Sequence, residues 1–75
     1  MAVDELIEEV RSRRQLPPAR ERRAIREAAG VSQRELARAL GVSWTAVQRW
    51  ESGARPRAHG GEYARLLREL RELPL

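Results

Sequence analysis

The stretch that decides the fold is QRELARALGVSWTAVQRWESG, residues 33–53. Two short patterns of apolar residues at helical spacing meet at Gly41, with almost no chain between them. Ser32 precedes the first pattern and Glu35 follows three residues later, which is the spacing of a capping box; Ser43 is placed to cap the second helix. Because so short a connection forces two helices to cross sharply, this stretch predicts a helix-turn-helix.

A small apolar core accounts for the packing of these two helices. Gly41 supplies the left-handed backbone that the turn needs, and Ala37 suits a place where the helices nearly touch. The side chains predicted to form the core are Leu36, Ala37, Leu40, Val42, Val47 and Trp50.

The two tryptophans of the chain lie on different faces of the second helix. At 100° per residue, Trp50 lies about 240° from Trp44. Trp50 shares the dry face with Val47 and is predicted to be a core residue. The other face carries side chains suited to hydrogen bonding or base contact, namely Trp44, Thr45, Gln48 and Arg49.

The rest of the chain predicts three more helices. Apolar stripes at helical spacing predict helices over residues 3–14 and 62–73. Between them, a helix begins at about Pro18, ends at Gly30 and presents Ile25, Ala28 and Ala29 as its apolar face. Since no segment alternates between apolar and polar residues, we predict an all-α fold, a small bundle of about five helices. The terminal stripes consist of Val3, Leu6, Ile7 and Val10, and of Tyr63, Leu66, Leu67 and Leu70.

The length of the chain, 75 residues, is that of one small domain. We predict a single helix-turn-helix domain over 1–75, with a core at 17–72, the motif at 32–53 and an N-terminal helical extension at 1–16. The two terminal stripes either pack on each other within one chain or form a dimer interface, and the first arrangement is favoured for most of this surface.

The composition argues against several classes of function. The chain has no cysteine and one histidine, which excludes disulfides and thiolate metal sites. No nucleophile–base pair, metal-ligand spacing or phosphate loop is present, so we expect no enzyme, no cofactor, no metal and no small-molecule substrate. No apolar run approaches the ~20 residues that span a bilayer, and the N-terminus is acidic. We therefore expect no membrane contact and a cytoplasmic protein, associated with the nucleoid or with the host cytoplasm if phage-encoded.

The positive charge is concentrated in the middle of the chain. All 15 basic residues are arginines and the formal net charge is +4. Residues 16–58 alone contain nine arginines and four glutamates. This distribution fits a polyphosphate partner, and it equally fits a solvated, arginine-biased surface.

The central stretch resembles the helix-turn-helix of the phage-repressor and Cro (XRE-type) DNA-binding proteins. The residues that carry the resemblance are Gln33, Leu36, Ala37, Leu40, Gly41, Val42, Val47, Trp50, Glu51 and Gly53. The flanks agree, so that roughly residues 17–72 are covered. The resemblance implies a lambda-repressor-like fold whose recognition helix, residues 43–52, lies in the major groove of double-stranded DNA.

The resemblance also implies a role for individual residues. Trp44, Thr45, Gln48 and Arg49 occupy base-facing positions. The positions expected to contact DNA phosphate are Gln33, Ser43, Arg55 and Arg57. Glu51 lies where the family places a glutamate that pairs with an arginine of the preceding helix, which is Arg26 by position.

Trp44 is the departure from the family pattern. Members often carry Gln there, braced by the residue equivalent to Gln33, and we expect that tryptophan cannot reproduce this amide pairing. Its ring either packs on thymine methyls or sugars, forms part of an oligomer surface, or covers exposed core.

The predicted function is a sequence-specific DNA-binding transcriptional regulator, a repressor from a phage or a bacterium, acting as a monomer or a homodimer. The alternative is a protein-interaction module, such as an antitoxin or adaptor, that uses the terminal apolar stripes.

Overall fold

The structure, a computed structural model, describes residues 2–74 apart from the side chains of Ser12 and Arg13. The first and last residues of the predicted 1–75 domain lie outside this range. The described residues form five helices and no strand, which confirms the predicted all-α bundle. None of these helices is long and apolar enough to cross a membrane. The helices are α1 (Val3–Gln15), α2 (Ala19–Ala28), α3 (Gln33–Leu40), α4 (Trp44–Glu51) and α5 (Gly60–Glu72).

The ends of α3 and α4 are set by local hydrogen bonds, as the sequence predicts. The Ser32 hydroxyl accepts from the Glu35 backbone N–H, and the Glu35 carboxylate accepts from the Ser32 N–H. Gly41 ends α3 with a φ of 68°, a left-handed conformation that side chains disfavour. The Ser43 hydroxyl accepts from the Ala46 N–H and so caps α4. The predicted capping box, turn and cap are therefore confirmed.

The core lies where α3, α4 and α5 meet. Trp50 is buried, as predicted, and its ring centroid lies 5.0 Å from that of Tyr63, which is fully buried. Val42 packs half-buried against the same cluster. The core residues are Leu36, Ala37, Leu40, Val47, Trp50, Tyr63 and Leu67.

The inward face of α2 differs from the prediction. Ala28 is exposed, and the two buried residues of this helix are Arg22 and Arg26. Ile25 is only half-buried. Apolar spacing alone could not indicate this orientation, because a buried arginine depends on polar partners that come from distant parts of the chain.

The terminal helices α1 and α5 pack on each other within one chain. The packing is incomplete, since Val3 remains 72% exposed and Leu6 and Ile7 each remain 49% exposed. The final helix begins at Gly60, two residues before the predicted start. His59 precedes it with a φ of 64°, and the two glycines that follow His59 are the first two residues of the helix rather than part of the loop.

Candidate nucleic-acid interface

The outward face of α4 carries four exposed side chains on one continuous surface. Trp44, Thr45, Gln48 and Arg49 are all exposed, whereas Val47 on the opposite face is buried. This division follows from the helical period of the sequence. The surface combines an apolar ring, a hydroxyl, an amide and a guanidinium, which together can contact every kind of base edge in a major groove.

Trp44 is fixed at the N-terminal end of this face by two contacts. Its indole Nε1–H donates a hydrogen bond of 3.0 Å to the Gln33 side-chain oxygen. The guanidinium carbon of Arg34 lies 4.1 Å from the centroid of its ring, in cation–π geometry. The indole N–H thus connects Trp44 to Gln33 in place of an amide donor, although an indole has no acceptor with which to complete an amide pairing. The residue remains 40% exposed.

Gln33, which accepts the hydrogen bond from Trp44, also donates one to a buried ion pair. Its amide nitrogen donates a 2.9 Å hydrogen bond to Glu51, and Glu51 accepts from Nε and Nη2 of Arg26 at 2.6 and 2.9 Å. Arg26 also donates through Nη1 to the Val31 carbonyl at 2.8 Å. The structure thus brings Arg26 and Glu51 together and links them, through Gln33, to Trp44. We call Arg26, Glu51, Gln33 and Trp44 the anchor network.

The electrostatics of the pair follow from its burial and its hydrogen bonds. Burial raises the pKa of Glu51, but the hydrogen bonds from Arg26 and Gln33 outweigh it, and the pKa lies below its ordinary value. The hydrogen bond to Glu51 raises the pKa of Arg26 against the opposing effect of burial. Both groups are therefore charged at neutral pH, and each neutralises the other.

The four residues predicted to contact phosphate border the α4 face. Ser43, Arg55 and Arg57 line an open groove beside α4 that Arg49 also lines. Gln33 is half-buried at the first position of α3, with one amide hydrogen not used by Glu51. Three arginines around one groove give this flank a positive potential.

The family model described as Helix-turn-helix matches residues 23–59. This part of the chain belongs to the XRE-type helix-turn-helix family. The matched range contains α3, α4, both members of the Arg26–Glu51 pair and the arginines of the following loop. Proteins of this family are DNA-binding regulators, and the helix-turn-helix domain binds double-stranded DNA. No match was found among curated proteins or among solved structures.

Two arginines, Arg34 and Arg22, have roles that the sequence analysis missed. Arg34 covers one face of Trp44, and Arg22 is buried beside Tyr63, with its guanidinium carbon 6.0 Å from the ring centroid. A contact between an arginine and an aromatic residue cannot be predicted from sequence spacing when the two lie ten or more positions apart. Within the described residues, no group of histidine and acidic side chains could hold a metal ion.

Proposed function

We propose that this chain is a sequence-specific transcriptional regulator that represses by occupying its DNA site. In this proposal α4 lies in the major groove with its N-terminal end deepest. The observation that carries it is the exposed face of α4, whose four polar and aromatic side chains are aimed by a helix anchored in the core.

Each side chain of that face has a suitable base partner. Arg49 can donate two hydrogen bonds to guanine, and Gln48 can pair with adenine. Trp44 has no free donor, because its single N–H is bonded to Gln33. Its contribution is therefore apolar contact, which the thymine methyl or a sugar can receive. Thr45 can hydrogen-bond a base edge through its hydroxyl or contact a thymine methyl through its own methyl group.

Contacts with the DNA backbone would set the register of the helix. Arg55 and Arg57 are exposed in the loop between α4 and α5, on the positive flank of the groove beside α4. Ser43 and the remaining amide hydrogen of Gln33 lie at the N-terminal ends of α4 and α3, where phosphate binding is favoured. Such contacts give affinity but carry no sequence information.

The small size of the module is the reason for proposing a dimer, and occupation of the DNA site by that dimer is the proposed means of repression. A single recognition helix provides limited affinity, so we propose that two copies bind a two-fold symmetric site and block access of polymerase. We place this regulator in the cytoplasm of a bacterium, or of a host cell if the protein is encoded by a phage.

The experiment that tests this function is selection of bound sequences from random duplex DNA at two salt concentrations. We expect a defined consensus, with affinity that falls steeply as salt rises. A palindromic consensus supports the dimer, and a single half-site supports a monomer. Recovery of unrelated sequences at both salt concentrations would refute sequence-specific binding.

The alternative function, a protein-interaction module such as an antitoxin or adaptor, is favoured by one observation. The first half of α1 leaves Val3, Leu6 and Ile7 exposed, although α1 packs against α5. This function predicts weak DNA binding that changes little with salt, together with a tight complex with another protein. The same binding series at two salt concentrations separates the two functions.

A further inference from the structure

A cavity of about 340 Å³ lies between the α1–α2 linker and the loop that follows α4. It is lined on one side by Pro17 and Pro18 and on the other by Arg55 and Arg57, with Arg22 also contributing. Three of its lining residues are thus arginines, and one, Glu9, is acidic. The cavity is separate from the exposed face of α4. Its unusual feature is Arg22, the one buried residue among the three arginines.

Among the described residues, Arg22 is buried without an ion-pair partner. The residue is 5% exposed, and its Nε has no hydrogen-bond partner. By distance and angle its guanidinium makes one hydrogen bond to the described residues, from Nη1 to the Ala54 carbonyl, at the long distance of 3.5 Å. The Tyr63 hydroxyl also lies near it, and this proximity opposes the rise that burial causes in the pKa of Tyr63. Arg26, one turn further along α2, shows the contrast, since Glu51 neutralises it at 2.6 Å. A buried guanidinium without a counter-charge is costly, and an anion in the cavity would remove that cost.

Two helix N-termini border the same cavity. Ala19 begins α2, Gly60 begins α5, and both residues line the cavity. Neither helix has a side-chain cap at its N-terminus, unlike α3 and α4, which both have one. The first N–H groups of a helix are hydrogen-bond donors without internal partners, and the helix dipole favours negative charge there.

We propose that this cavity is a binding site for a phosphate group, held by Arg22, Arg55 and Arg57 and by the N-termini of α2 and α5. A phosphate offers several acceptor oxygens to donors that converge from different directions, and arginine matches its geometry well. The phosphate comes either from the DNA backbone or from a small phosphate in solution. Arg22 is a residue of this site alone, whereas Arg55 and Arg57 also border the groove beside α4.

The test uses inorganic phosphate, replacing chloride at constant pH and ionic strength, with the full chain. The NMR resonance of the Arg22 Nε–H group is expected to shift in a saturable way. The melting temperature is expected to rise by about 6–11 °C when phosphate reaches roughly ten times its Kd.

The matched variants are Arg22→Met and Arg68→Met, which remove the same charge. Arg68 is exposed on α5 and does not line this cavity. In chloride, Arg22→Met is expected to be at least as stable as the wild type, because it removes a buried charge that has no partner. It should lose the response to phosphate, and Arg68→Met should keep it.

A second titration with duplex DNA identifies the source of the phosphate. If only the duplex shifts the Arg22 resonance, and Arg22→Met lowers the salt slope of duplex binding by about one unit, the phosphate belongs to the DNA backbone. If inorganic phosphate shifts it as well, a free phosphate suffices. The site is refuted if neither probe moves the resonance, or if the wild type responds to inorganic phosphate and Arg22→Met responds equally. A chain that responds to phosphate but binds no duplex would refute the proposed function and leave this site standing.

Discussion

A double-mutant cycle across Arg26 and Glu51 tests how the anchor network stabilises the domain. The perturbations are Arg26→Met, Glu51→Leu and the two together. The side chains are 10% and 3% exposed, so each single substitution leaves the other charge buried without its partner. We expect each single variant to lose about 3–5 kcal/mol of unfolding free energy.

The double variant is expected to be more stable than either single variant. Neither charge of the pair remains in it, and the lost interactions are the hydrogen bonds that Arg26 gives to Val31 and that Glu51 receives from Gln33. Two hydrogen bonds at about 0.5–1.5 kcal/mol each are worth about 1–3 kcal/mol. A domain of 75 residues has roughly 4–11 kcal/mol in total, so this difference decides whether it folds.

The assay is urea unfolding followed by far-UV circular dichroism. The control is the same cycle on Arg65 and Glu69, an exposed pair on α5, for which we expect a coupling of about 0.3–0.5 kcal/mol. The reasoning is refuted if the Arg26–Glu51 double variant loses the sum of the single losses, about 6–10 kcal/mol. It is equally refuted if the single variants behave like the control.

Three further predictions concern DNA contact and pH. Arg49→Ala should lose about 1–3 kcal/mol of binding free energy on a selected site and relax specificity at one base pair, whereas Arg55→Ala should weaken binding to all sequences alike. Affinities on a panel of single-base variants of the site distinguish these patterns, and equal affinity of Arg49→Ala and wild type would contradict the base contact. Trp44→Phe keeps the ring but removes the donor to Gln33, so duplex affinity should fall while the unfolding free energy changes by no more than about 1 kcal/mol; unchanged affinity would argue against positioning by this bond. Because folding lowers the pKa of Glu51 from 4.5, its contribution to stability is complete above pH 4.5 and is lost as the pH falls through the folded pKa. Urea unfolding between pH 7 and pH 3 should therefore show a smaller loss of unfolding free energy in Glu51→Gln than in the wild type.

The helix-turn-helix could be predicted from the sequence because its determinants are local. Ser32, Glu35 and Ser43 act within one helical turn of their own positions, and Gly41 acts at a single residue. Burial of Trp50 followed from the helical period. These signals need no knowledge of the rest of the chain.

Other parts of the site depend on residues that are distant in sequence. Arg22 has no role that the sequence indicates, and only the fold reveals that its surroundings bury it. Arg26 could be assigned to Glu51 only through the family resemblance, because 25 positions separate the two residues. The bond from Trp44 to Gln33 spans eleven positions and exchanges one donor group for another, which a family pattern based on amides does not anticipate. The early start of α5 rests on the left-handed backbone of His59, a conformation that non-glycine residues adopt rarely.

The anchor network has a consequence for how this domain could acquire new DNA targets. Gln33 contacts Trp44 at one end and Glu51 at the other, so a substitution there changes the recognition surface and the setting of the buried pair in a single step. Gln48 and Arg49 are exposed and outside the network, and they can vary at little cost to folding. Divergence of binding specificity is therefore expected to run through positions 48 and 49 first, with positions 33, 44 and 51 changing together or not at all.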